Sequence, residues 1–169
     1  MGQVRPYTLT AHYRGVMTEE RPRHLLSMTL LMTPDMANFT GDVHGGTILK
    51  LLDQVAFTCA GRYAQAYVVT LSVDRVVFRE PIHVGELVTF DASVNFTGRS
   101  SMEVGIRVSA EDFRTGLVRH TNSCYFTMVA IDENRTPVAV PTLVPSTDAE
   151  RKRWDRALAR REQRRTSGD

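Results

Sequence analysis

The sequence predicts an α+β domain in which an antiparallel β-sheet bends around one long apolar helix, with a polar helix added at the C-terminus. Three observations predict it. Residues 47–63 carry apolar side chains at helical spacing and a single acid, Asp53. Residues 87–96 and 102–110 both alternate apolar and polar side chains with a period of two, across a turn containing Gly98, which predicts a hairpin. The remaining strand-like runs follow after short turns, and short connections favour antiparallel neighbours.

Composition bounds the molecule to one core. A chain of 169 residues with 42% hydrophobic content buries one substantial core with short extensions. We divide it into an arm (1–24), a central domain (25–137) and a linker with a basic helix (138–169). No run reaches the roughly eighteen apolar residues of a membrane span, and the first twenty residues lack the apolar centre of a signal peptide. Cys59 and Cys124 lie in apolar periodic segments without metal-ligand spacing, which predicts two buried thiols in a reducing cytoplasm and no metal centre. The net charge of +2 conceals a tail holding +6 between Arg151 and Arg165, so the rest of the chain stands at −4. No stacking platform or groove-reading motif accompanies this charge, so nucleic acid is not an expected partner.

The elements follow in order. Leu25–Met32 is an almost continuous apolar run and predicts a buried strand, ended by Thr33-Pro34-Asp35. Asn38 to Gly46 is a loop with three glycines that feeds the helix. On a helical wheel Ile48, Leu51, Leu52, Val55 and Cys59 share one arc, and Lys50, Gln54 and Thr58 the opposite one. Asp53 falls between them, beside Leu49, Ala56, Phe57 and Ala60, which predicts a partly desolvated carboxylate able to act as a base. Val68–Glu80 is rich in β-branched residues and predicts a strand with a bulge at Asp74-Arg75. In the hairpin, Val88, Phe90, Ala92, Val94 and Phe96 are expected inward and Thr89, Asp91, Ser93 and Asn95 outward. Leu117–Ile131 is apolar on both faces in its second half, which predicts a central strand. Val138–Pro145 reads as an extended linker, and Ser146 or Thr147 caps a final helix from Asp148 to about Arg165, anchored by Trp154 and Leu158.

The candidate site is Asn38 with His44-Gly45-Gly46 and Asp53. Paired glycines at a helix start let a ligand approach closely, and the free N–H groups there face developing negative charge. Asn38 offers one acceptor and two donors. His44 is expected either to orient a substrate or to play a structural part; Asp42 reads as a turn aspartate, and His83 and His120 as surface or strand residues. No Gly-x-Ser-x-Gly nucleophile elbow and no zinc pattern occur.

In joint order, these motifs resemble the hotdog-fold acyl-CoA thioesterases, the bacterial broad-range and brain-type hydrolases. The matching residues are Asn38, His44-Gly45-Gly46 and Asp53; Thr70-Leu71-Ser72-Val73-Asp74 with Phe78 and Pro81; Gly98-Arg99-Ser100-Ser101; and Thr121-Asn122 with Phe126 to Ala130. The resemblance implies a hotdog fold and hydrolysis of acyl-CoA. Asn38 and Asp53 would be catalytic, with Asp53 as general base or as nucleophile forming an anhydride, and Gly45-Gly46 as oxyanion hole. Arg99, Ser100 and Ser101 would hold the phosphates of coenzyme A, which is part of the substrate; no separate cofactor is implied.

It further implies a homo-oligomer, at least a dimer with each site shared between two subunits, and a trimer of dimers. The protein is expected in the cytoplasm, with no nucleic-acid or membrane partner. Two rivals stand beside this reading: a hotdog-fold dehydratase or hydratase pairing His44 with Asp53, and a non-catalytic acyl-CoA-binding module.

Overall fold

A computed structural model describes residues 22–74 and 76–167; the expected N-terminal arm lies, up to residue 21, outside the described residues. Its centre is helix α1, Gly45–Ala64, which starts two residues before the predicted Thr47. His44 is the N-cap, and Gln65, with φ of 53°, closes the C-terminus in the left-handed region. Ile48, Leu52, Val55, Ala56, Cys59 and Ala60 form the buried face, as the wheel predicts. Each Leu- or Ile-sized side chain buried there contributes about 1.5–3 kcal/mol.

This face packs on a five-stranded antiparallel sheet of β1 (Leu25–Leu31), β2 (Tyr67–Val73), β3 (Leu87–Thr97), β4 (Ser101–Asp112) and β5 (Leu117–Ile131). The order across the sheet is β1-β3-β4-β5-β2. Strand β4 is central and β5 lies beside it, so β1 and β2 are the two edges. Val88, Phe90, Val94, Val104, Ile106, Val108, Phe126 and Met128 meet the helix. The expected hotdog arrangement, one helix held by a bent antiparallel sheet, is present.

Four readings change. β1 is an edge strand with alternating exposure, not a buried one, because only Leu26, Met28 and Leu30 turn toward the core. β2 ends at Val73, its irregularity lies between Thr70 and Ser72 rather than at Asp74-Arg75, and neither Asp74 nor residues 76–80 are in a strand. Asn95, expected outward in solvent, is 3% exposed. A register shift between Val94 and Phe96 sets Phe96 opposite Glu103, so its ring packs on Trp154 instead of joining the inner core.

Helix α2, Asp148–Ser167, explains the last two. It lies over the outer face of β3 and buries polar groups that alternation alone would send to water. Glu103, 2% exposed, accepts two hydrogen bonds from Arg160, at 2.6 and 3.1 Å, and one from Asn95 Nδ2 at 3.3 Å. Arg164 donates to both oxygens of Asp74, at 3.0 and 2.8 Å. The Arg160 guanidinium also lies 3.5 Å from the centre of the Tyr125 ring. The apolar anchors are Trp154 and the buried Ala157; Leu158, an expected anchor, is exposed. Thr147 and Glu150 form a capping box: Thr147 Oγ1 accepts from the Glu150 N–H at 3.2 Å, and Glu150 Oε2 accepts from the Thr147 N–H at 3.1 Å.

The predicted linker is extended but tied down. Val140 N–H donates to the Arg99 carbonyl at 2.9 Å, Leu143 N–H to Thr97 Oγ1 at 3.0 Å, and Leu143 is buried.

Candidate active site

The loop before α1 is built around the side chain of Asn38. Its Oδ1 accepts three hydrogen bonds, from Thr40 N–H (2.8 Å), Thr40 Oγ1–H (2.7 Å) and Asp42 N–H (3.1 Å). Two of those donors are backbone amides, so the oxygen's identity as acceptor follows from its partners. Asn38 thus presents only its Nδ2–H groups to anything outside the loop. Asp42, the turn aspartate, accepts from or pairs with His83 Nδ1 at 2.7 Å and links this loop to the Pro81–Glu86 turn. His120 bonds to Ser123 and stands apart from the site.

At the helix start, Gly46 N–H donates to His44 Nδ1 at 2.9 Å. A Cβ at Gly46 would lie 3.0 Å from the same nitrogen, so glycine permits the cap. Of the paired glycine amides, Gly45 N–H alone is without an acceptor among the described residues.

Asp53 sits on α1 between Leu49 and Phe57, both exposed, at four-residue steps along one helix face. Asp53 is itself exposed in the single chain, contrary to the partial desolvation expected from the wheel. Boundary position on a wheel does not bury a group unless another element covers that face. One oxygen of Asp53 accepts from Thr70 Oγ1–H at 2.6 Å. Thr70, on β2, was not among the predicted site residues. The lone signal was its place at the head of the Thr70-to-Asp74 motif, and that a threonine across 17 residues meets this acid is decided only by the strand's position beside the helix.

Gly45 and Asp53 stand apart along α1 within one chain. Asp53 lies eight residues into α1 from Gly45, about 12 Å along the axis at 1.5 Å per residue. Four surface clefts of about 420–450 Å³ lie elsewhere, lined by neither Asn38, His44 nor Asp53. Beside Asp53 on α1 stand the exposed Leu49 and Phe57, and the edge strand β2 carries further exposed apolar residues, Tyr67, Val69, Leu71 and Val73.

Gly98, Arg99 and Ser100 form the turn between β3 and β4, and Ser101 opens β4. Gly98 N–H donates to the Ser101 carbonyl at 2.7 Å, and the Ser100 carbonyl accepts from Ala130 N–H at 2.9 Å. The backbone is therefore fixed, whereas the Arg99 side chain is exposed and in no ion pair among the described residues.

Comparison with known proteins agrees with this architecture. Residues 40–116 match the profile of the thioesterase superfamily. Protein VdlD of Helicobacter pylori is 51% identical over 84% of this chain and 81% of its own length. A solved apo-hexameric acyl-CoA thioesterase superposes with a TM-score of 0.83 at 36% identity, covering 86% of this chain and 94% of that one. An acyl-CoA hydrolase from Staphylococcus aureus, solved with butyryl coenzyme A and coenzyme A, has a TM-score of 0.78 at 31% identity over 86% and 91% of the two chains. The chain belongs to the hotdog-fold acyl-CoA thioesterases, a family of thioester hydrolases. The staphylococcal enzyme is also solved with an asparagine, an aspartate and a threonine each replaced by alanine. The steps between those three, fifteen and seventeen residues, are the steps between Asn38, Asp53 and Thr70.

Proposed function

We propose that this protein hydrolyses acyl-CoA to coenzyme A and a carboxylic acid, at sites each built from two copies of the chain. The observation that carries the reading is the separation of about 12 Å between the oxyanion donors at Gly45 and the carboxylate of Asp53 along one helix. No single thioester carbon reaches both within hydrogen-bonding distance, whereas a two-fold partner with an antiparallel α1 brings its Asp53 to the other copy's Asn38. The exposed apolar residues of β2 and the Leu49–Phe57 stripe suit such a pairing, which would also cover a free sheet edge.

In the reaction, Asn38 Nδ2–H and the Gly45 N–H donate to the thioester oxygen as it gains charge, joined by Gly46 N–H when His44 turns away. Asp53 keeps one oxygen on Thr70 and uses the other. As a base it takes a proton from water, the hydroxide adds to the carbonyl carbon, and the C–S bond breaks to release the thiolate, which is then protonated. As a nucleophile it attacks the carbon itself, expels the thiolate and leaves a mixed anhydride that water cleaves. Appearance of solvent ¹⁸O in Asp53 after a single turnover separates the second route from the first. Both routes use only water and protein groups. Arg99, Ser100 and Ser101 hold substrate phosphates, and the full assembly is a trimer of dimers in the cytoplasm, the oligomer being measurable by light scattering.

The test measures thiol release from an acyl-CoA panel by Asp53→Ala, Asn38→Ala and a re-annealed mixture of the two. Each variant alone is inactive, and random pairing restores about a quarter of wild-type activity through hybrid dimers with one intact site. Full activity in Asp53→Ala overturns the assignment. No recovery in a mixture shown to contain hybrids overturns the sharing. Tight acyl-CoA binding by the wild type without turnover points to the binding module.

A further inference from the structure

The hydrogen bonds that shape the Asn38 loop close within residues 38–42. Besides the three at Asn38 Oδ1, the Asn38 N–H donates to the Asp42 carbonyl at 2.7 Å and the Gly41 N–H to the Asn38 carbonyl at 3.1 Å, with Gly41 in the left-handed region at φ of 88°. Bonds of this kind fix the form of a loop but not its attitude toward the sheet. That is set by residues 81–86, which lie alongside. The Val43 N–H donates to the Ile82 carbonyl at 2.8 Å, and His83 Nδ1 donates to Asp42 Oδ1 at 2.7 Å. A carboxylate has only acceptors, so its partner nitrogen carries the hydrogen.

The 81–86 turn is itself clamped from behind by Arg119 on β5. Arg119 Nη1 donates to the Pro81 carbonyl at 3.0 Å and Nη2 to Glu86 Oε1 at 2.6 Å, so one guanidinium spans both ends of the turn. The second Glu86 oxygen accepts from the His83 N–H at 2.9 Å. Glu86 is 7% exposed, and an acid so buried is tolerated only with its oxygens matched to donors, which gives the turn a single geometry. Met32 completes the hold, with its N–H on the Glu86 carbonyl at 2.9 Å and its carbonyl on the Gly85 N–H at 2.7 Å. A continuous line of hydrogen bonds therefore runs from the sheet through Glu86, His83 and Asp42 to Asn38.

The outer link of this line stands in water. The His83 and Asp42 side chains are 54% and 35% exposed, and a pair so hydrated adds little to folding stability. What it does fix is the direction in which the loop presents the Asn38 Nδ2–H groups, because the residue that His83 holds is the one whose N–H and carbonyl grip Asn38. We propose that His83 and Asp42 are positioning residues, which with Glu86 and Arg119 behind them hold Asn38 in the orientation that donates to the thioester oxygen in the transition state. This role rests on the thioesterase reading of Asn38. An interaction made only in the transition state acts on kcat rather than KM, so a misaligned Asn38 lowers the rate without loosening the substrate.

Steady-state thiol release from a panel of acyl-CoAs tests it in His83→Leu, His83→Asn and Asn38→Ala, with thermal unfolding of each. His83→Leu, which lacks the donor, lowers kcat by about five- to tenfold with KM within about twofold of wild type, and its melting temperature stays close to wild type. His83→Asn, whose amide N–H stands the same number of bonds from the backbone as Nδ1–H, recovers most of the rate. Arg119→Lys keeps a cation but loses the fork that spans the turn. It lowers kcat in the same sense, and its combination with His83→Leu loses less than the product of the two single effects, because both act through one line. Wild-type kcat in His83→Leu, with Asn38→Ala inactive, overturns the positioning role and leaves the thioesterase reading standing. Full activity in Asn38→Ala overturns that reading and this role together. A raised KM with kcat kept marks His83 as a substrate contact and overturns the role, as does a loss that His83→Asn does not relieve. Fully multiplicative losses in the double variant overturn it as well.

Discussion

Replacing Thr70 with valine tests whether Asp53 works as positioned here. The change deletes one hydroxyl and keeps a branched side chain of nearly the same shape, so β2 keeps its packing. What is lost is the 2.6 Å hydrogen bond from Thr70 Oγ1 to Asp53 Oδ1. A hydrogen bond to a charged group contributes about 1.5–3 kcal/mol. Both residues are exposed in the single chain, which places this one at the lower end, about 1.5 kcal/mol. If the bond holds the carboxylate in its reactive orientation, that loss appears as about a tenfold fall in kcat/KM, carried by kcat. Thiol release from a saturating acyl-CoA measures it, with thermal unfolding as a control for folding. Thr70→Ser, which restores the donor, recovers most of the rate. A Thr70→Val enzyme within about twofold of wild type in kcat would refute the reasoning, as would a serine variant as slow as the valine one.

Three further outcomes follow from the packing and the titrating groups. Gly105→Ala destabilises the fold by about 1–3 kcal/mol through overpacking, since a Cβ there would collide with Asn95 Nδ2 and lie 3.2 Å from the Tyr125 ring; an unchanged melting temperature would contradict this. Burial pushes the thiols of Cys59 and Cys124 up to about 12, so iodoacetamide at mildly alkaline pH leaves the native protein unlabelled and modifies both after unfolding. The Ser146 N–H, then its hydroxyl, and the Thr147 N–H hold Glu150 down to about 2 from 4.5. Because the folded value is depressed, the capping box stabilises the docked helix fully above about pH 4.5 and loses that contribution as pH falls toward 2. Fluorescence of Trp154, the sole tryptophan, reports helix release over that window, and Glu150→Gln flattens the profile; identical profiles would refute the link.

The wheel for α1 and the alternation of β3 and β4 were legible because their periods are written in neighbouring residues. Strand β5 runs from Leu117 to Ile131 as read from its apolar faces. Asn38 and the glycine pair were legible as chemistry, since a loop of three glycines before an apolar helix has few structural uses. Thr70 was not, and neither was the saturation of Asn38 Oδ1 that leaves this residue a donor only. Both depend on how a side chain points once two elements have docked.

The outer face of the sheet makes the same distinction more sharply. Alternation sends Asn95 and Glu103 to water, and it would be right for a bare sheet. Instead α2 returns across 57 residues to place Arg160 over Glu103, and burial of that acid becomes tolerable because a cation and an amide satisfy its oxygens. The sequence by itself determined the helix, the strands and their short connections, because hydrophobic period and turn chemistry act between residues a few positions apart. Only the tertiary structure decided that β2 is an edge strand, that Asp53 stands exposed about 12 Å along the helix from Gly45, and that Arg160 covers Glu103 on the outer face. These are consequences of which faces meet, and that is settled by burying the whole core at once.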